Sequence, residues 1–155
     1  MKIEIISNNV KFNSISEINS LIIQNLNWDN LCANSILTEA FIRENCSNIN
    51  WEYIWLFQSV SESFIEEFFD KVDWYSISTS QLLSESFIRK YHNKIYWKAV
   101  SAYQILSEMF IIEFTNNVCW ELIYRYQKLS KKFCIENSSR VSQKSFELTM
   151  KRLGY

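Results

Sequence analysis

Five tryptophans, Trp28, Trp51, Trp74, Trp97 and Trp120, stand 23 residues apart along the chain. A fixed period of that length marks a repeat architecture, in which one unit cannot bury its apolar face alone and stacking on neighbours builds the core. Other columns keep the same register. An aliphatic residue sits at the fourth position of each unit (Leu31, Ile54, Ile77, Val100, Ile123) and another at the tenth (Leu37, Val60, Leu83, Leu106, Leu129). Thr38, Ser61, Ser84, Ser107 and Ser130 follow at once. Phe41, Phe64, Phe87, Phe110 and Phe133 come next, each followed by Ile42, Ile65, Ile88, Ile111 or Cys134.

These columns predict two short helices per unit. The Ser-Glu pairs at Ser61, Ser84 and Ser107 read as an N-cap with an acid in the first helical turn, where unpaired amides and the helix dipole favour negative charge. The second cap column is Asn27, Asn50 and Asp73, and it fails at Tyr96 and Cys119. Helix A is expected over Trp51–Gln58 and its equivalents, helix B over Glu62–Asp70 and its equivalents. Helices this short are marginal in isolation, so inter-unit packing must hold them. The fold class expected is all-α: a solenoid of five 23-residue two-helix repeats forming one domain over 1–155. Residues 1–27 would make an N-terminal cap, 28–142 the repeats and 143–155 a C-terminal cap.

Within the N-terminal cap, weak alternation over Lys2–Phe12 predicts a small β-hairpin, and residues 14–27 a degenerate helix B. The C-terminal cap is expected as a helix over Lys144–Leu153, with Gln143 in the Trp column. The Trp column reads as a ladder of core rings, so that Trp74→Ala would cost about 3–5 kcal/mol.

Composition excludes much. There is one glycine, Gly154, and no proline, so no glycine-rich phosphate loop can exist. Four cysteines lie outside any ligand-like spacing with the single histidine, His92, and reduced thiols are expected. No catalytic constellation, cofactor motif or metal-ligand cluster appears. The Glu39, Glu62, Glu85 and Glu108 column is explained by the helix dipole. No apolar run approaches membrane-spanning length, and the N-terminus lacks a leader's apolar segment, which points to the cytoplasm.

Candidate binding residues lie where a column is polar without a packing reason, or where the units differ. Gln58, Gln81, Gln104 and Gln127 hold the eighth position of four successive units. Either each ends helix A and bonds to backbone in the adjoining turn or the neighbouring unit, or the four form an amide ladder that reads a base edge or a peptide backbone. Tyr53, Trp55, Phe57, Tyr103, Tyr124 and Tyr126 are non-repeating rings off the Trp stripe, as interface anchors are; extra core is the competing account.

Charge is segregated. Residues 39–70 carry seven acids and one base, whereas Arg125, Lys128, Lys131, Lys132, Arg140, Lys144, Lys151 and Arg152 face only Glu136 and Glu147 over 125–155. The basic end fits phosphates or an acidic partner, a solvated cap, or head-to-tail self-association.

The line Gln81-Leu82-Leu83-Ser84-Glu85-Ser86-Phe87-Ile88, within a W-x2-I-x5-LSE-x-FI pattern, resembles short Trp/LSExFI helical repeats of bacteriophages and large DNA viruses. The resemblance covers about residues 28–141 and departs at Thr38 and Lys131. It implies a viral or mobile-element origin, which suits a composition rich in residues with AT-rich codons, and it carries no active site. The function expected is a non-enzymatic protein-binding module, a phage inhibitor of a host defence protein (anti-CRISPR-like) or an adaptor acting in the host cytoplasm. The alternative is a nucleic-acid-binding helical repeat using its amides, rings and basic end.

Overall fold

The computed structural model describes residues 11–12 and 27–155. Among them are eleven α-helices and two two-residue strands. Helices A are α1 (Trp28–Asn34), α3 (Trp51–Phe57), α5 (Trp74–Ser80), α7 (Trp97–Tyr103) and α9 (Trp120–Tyr126). Helices B are α2 (Glu39–Glu44), α4 (Glu62–Glu67), α6 (Glu85–Lys90), α8 (Glu108–Glu113) and α10 (Lys131–Glu136), and α11 (Gln143–Arg152) closes the chain. The protein is all-α in class, built from two-helix repeats. It divides into two compact units, Met1–Gln81 and Leu82–Tyr155, with the boundary inside the third repeat. In the first, α1 packs on α3 and α3 on α5; in the second, α7 packs on α9 and α9 on α11.

Local chemistry sets the helix starts. Thr38, Ser61, Ser84, Ser107 and Ser130 each accept the amide of the phenylalanine three residues on. Asn27, Asn50 and Asp73 cap α1, α3 and α5, while Tyr96 and Cys119 make no side-chain cap. Helices B are shorter than expected. α4 stops at Glu67, and the chain tightens into a 3₁₀ turn over Phe69–Lys71; Ser138–Arg140 does the same after α10. Helix A ends one residue early, leaving the glutamine outside as C-cap.

The core is the aliphatic fourth column together with the Phe and Ile columns of helix B, all of them buried. Trp28, Trp51, Trp74, Trp97 and Trp120 are only half-buried, which corrects the expected internal ladder. Each of Trp28, Trp51, Trp97 and Trp120 lays one face toward the Phe of its own helix B, with centroids 6.1–6.4 Å apart. The indole N–H of Trp97 and Trp120 donates to a carbonyl five residues back, His92 and Thr115. A ring tied into that turn cannot also sink into the core.

The fully buried member of helix A is instead its fifth residue: Cys32, Trp55, Ser78, Ser101 and Tyr124. Trp55 and Tyr124 were expected at a partner surface, and burial removes both. Trp55 Nε1 donates to the Lys71 carbonyl at 2.7 Å, and the Tyr124 hydroxyl to that of Cys134 at 2.7 Å. Where the column is serine, the hydroxyl folds back: Ser78 donates to Trp74 O and Ser101 to Trp97 O.

Of the expected hairpin, residues 2–10 lie outside the described residues, as does the degenerate helix B over 14–26. Lys11–Phe12 pairs in parallel with Ile36–Leu37, a pairing that no tight hairpin can make. The four cysteines are free thiols; Cys32 and Cys134 are buried, and burial pushes both thiols up from their ordinary value.

Candidate interaction surface

The elbow between helix A and helix B is where structural and functional residues separate. Gln58, Gln81, Gln104 and Gln127 are buried at that corner. Gln58 Nε2 donates to the Cys32 and Ser35 carbonyls at 2.7 Å each, while its Oε1 accepts the Leu37 amide at 2.8 Å. Gln81 repeats this on Trp55 O, Gln58 O and Val60 N, and Gln127 on Ser101 O, Gln104 O and Leu106 N. Gln104 Oε1 accepts the Leu83 amide at 2.9 Å. The amide therefore satisfies the carbonyls that end the preceding helix A and the first free N–H of the preceding elbow. This corrects the amide-ladder alternative: a glutamine with its oxygen and nitrogen so engaged in the interior has nothing left to read a base or peptide.

A second joint runs the other way. Glu39 accepts the Ser61 amide at 2.7 Å, Glu85 that of Ser107 at 2.6 Å and Glu108 that of Ser130 at 2.5 Å. Each of these three acids thus holds the next repeat's cap residue as well as complementing its own helix. Those bonds, together with the Arg43 guanidinium, hold the Glu39 carboxyl below its ordinary range against the opposing effect of burial. Arg43 with Glu67 and Arg89 with Glu113 add ion pairs between successive helices B, at 2.8 and 2.7 Å, with each arginine over a phenylalanine ring.

One residue beyond each buried glutamine the chain turns outward. Leu82 is 77% exposed and Ile105 79%, in successive elbows of the second unit. Tyr103, at the end of α7, is 65% exposed, and Met109, in the first turn of α8, is 85% exposed. Tyr126, at the end of α9, is also exposed. The Gln104–Leu83 and Gln127–Leu106 bonds keep successive elbows side by side, so these residues form one apolar edge. In the first unit, Phe57 is exposed and Tyr53 half-buried, the two rings meeting edge to face at 5.6 Å. Of the rings singled out from sequence, Phe57, Tyr103 and Tyr126 are exposed; Leu82, Ile105 and Met109 were missed. A signal was available in the ninth position, which varies between Ile36, Ser59 and Lys128 in the other repeats, and in the thirteenth, where Ala40, Ser63, Ser86 and Lys132 stand.

The basic residues do not form one patch. Arg125, Lys144 and Arg152 line a groove of about 500 Å³ between α9 and α11, with Leu122, Leu148 and Glu121. Arg152 donates to Tyr124 O and Gln127 O at 3.0 and 2.9 Å, the two carbonyls that the glutamine of a sixth repeat would clamp. Thr149 joins it on Tyr124 O. Arg140 lies over the Trp120 ring at 4.7 Å, Lys131 over Tyr155 at 5.9 Å, and Lys132 pairs with Glu136.

Among the described residues no group of three His, Cys, Asp or Glu could hold a metal ion, and no helix is long and apolar enough to cross a membrane. His92 is exposed. No protein-family model matches the chain, and no curated protein or solved structure matches it either.

Proposed function

We propose that the protein is a non-enzymatic protein-binding repeat module whose contact surface is the apolar edge of Leu82, Tyr103, Ile105, Met109 and Tyr126. One observation carries this reading. On a scaffold whose core columns repeat faithfully, large apolar side chains of the second unit stand in solvent at positions where serine or lysine is found in some of the other repeats. Isolated exposed apolar residues are ordinary, but a contiguous set rich in aromatic and methionine side chains is the composition of an interface core. The resemblance to phage and viral repeats makes an inhibitor or adaptor directed at a host protein the setting we propose.

Nucleic-acid binding is the second reading, favoured by the cations converging on the α9–α11 groove. It has lost the glutamine ladder, one of the three features that suggested it. Site-specific photo-cross-linking separates the two. With p-benzoylphenylalanine at position 105 or 109, a discrete protein adduct is expected in a bacterial lysate, and none from position 132, which is equally exposed but lies on the polar part of α10. Equal labelling from all three positions contradicts the reading, as does salt-sensitive capture of nucleic acid alone.

A further inference from the structure

The groove between α9 and α11 has a chemistry that the cap's structural role leaves unused. One Arg152 amino group and the Thr149 hydroxyl close the last repeat, as described above. Arg125 and Lys144 do not: neither makes an ion pair among the described residues, and the only charged-group contact of Arg125 is with the neighbouring Tyr126 ring, at 5.5 Å. Glu121, the one acid of the lining, is already engaged. Its carboxylate accepts the Ser142 amide at 2.9 Å and the Ser145 hydroxyl, and these bonds hold it below its ordinary range. It stays ionised there, tied to the N-terminus of α11, and leaves the lining with three cations, Arg125, Lys144 and Arg152, to one acid. Leu122 and the exposed Leu148 add apolar surface between the charges.

We infer that this groove receives an acidic segment of a partner protein that seats one apolar side chain between Leu122 and Leu148 and places carboxylates on Arg125 and Lys144. The inference rests on the protein-binding reading and names the chemistry of the partner at a second contact point. Charge complementarity selects an anion. The leucines and the Glu121 carboxylate select a protein segment over a nucleic-acid strand, since successive phosphates need a continuous basic track and this groove breaks it with an acid and apolar surface. A carboxylate meeting two otherwise unpaired cations also gains more than one meeting a cation already committed.

The test uses the full chain and a short fluorescein-labelled peptide carrying one leucine flanked by glutamates, followed by fluorescence anisotropy. Saturable binding is expected, weakening as salt is raised. Replacing the peptide's glutamates by glutamine, or substituting Arg125→Glu with Lys144→Glu, should weaken it at least about tenfold. Leu148→Ser should weaken it less, and Lys132→Glu should leave it unchanged. All four side chains are exposed, and far-ultraviolet circular dichroism confirms that each variant folds.

No binding, equal binding of the glutamine peptide, or equal loss in Lys132→Glu overturns the inference. So does oligothymidine binding that Arg125→Glu abolishes, which would make the groove a phosphate site. Salt-sensitive self-association removed by the same substitution also overturns it, since a second copy would then be the occupant. Cross-linking at position 105 is read separately: peptide failure with that adduct intact sinks the groove alone, whereas loss of both sinks the protein-binding reading.

Discussion

Gln104 and Ile105 are adjacent in the chain and opposite in fate. The first is buried and joined to the preceding elbow, the second stands 79% in solvent with no role in the core. Gln127 and Lys128, and Gln58 and Ser59, divide in the same way, but there the outward residue is polar. The contrast teaches how to separate scaffold from function in a repeat protein. A polar side chain that recurs in four successive units marks a joint, because unsatisfied backbone recurs there. An apolar side chain left in solvent, at a position that Ser59 and Lys128 show can be polar, marks a contact with something else.

The comparison breaks first at the joint. Gln58→Ala would leave Leu37 N, Cys32 O and Ser35 O without their partner, and should cost roughly 3 kcal/mol or more, seen as a lower midpoint in urea with an unchanged slope. A loss below about 1 kcal/mol would mean that water takes over these groups, and that the glutamine column is free for another role.

Trp74→Ala is now expected to cost about 2 kcal/mol rather than the 3–5 kcal/mol of an emptied core site, because the ring is half-exposed. Tyr124→Phe follows, at about 1–2 kcal/mol, for the lost bond to the Cys134 carbonyl. Tyr124 also carries a pH dependence. Burial pushes its phenol up to about 12, against an ordinary value near 10. The folded state therefore holds this proton where the unfolded chain has lost it. The associated stability is complete below the unfolded value and falls away as pH rises through the folded one. Wild-type stability should drop between about pH 10 and 12, and Tyr124→Phe should flatten that drop. Ser61→Ala, removing one N-cap, should cost about 1 kcal/mol. On the outward side, Ile105→Ser should change stability by less than about 0.5 kcal/mol while weakening partner capture.

What could be read from the sequence was whatever is decided locally or by period. The register of the Trp column, the serine caps and the failed caps at Tyr96 and Cys119 depend on residues within one turn of each other. The fifth column was not legible, because Cys32, Trp55, Ser78, Ser101 and Tyr124 share no size or polarity; only the packing of successive helices A makes them equivalent. The glutamine joints were legible as one of two readings, a helix end bonded to neighbouring backbone, but which backbone groups they hold was not, since these lie 21 to 26 residues away. The tryptophans misled because a large repeating ring reads as core, while all five stay half-buried and the N–H of Trp97 and Trp120 is held at the turn. The apolar edge was half-found: the tyrosines drew attention as rings, whereas Leu82, Ile105 and Met109 look like core until the elbow's direction is known.

The central claim is that scaffold and contact surface part company at the elbow. Its most direct test is a pair of readouts, thermal midpoint and partner capture, on Ile105→Asp with Met109→Asp beside Gln58→Ala. The account predicts that the surface pair keeps its wild-type midpoint and loses capture, while Gln58→Ala melts earlier yet still captures below its own transition. Full capture by the surface pair, or a collapse of its midpoint comparable to that of Gln58→Ala, would contradict it.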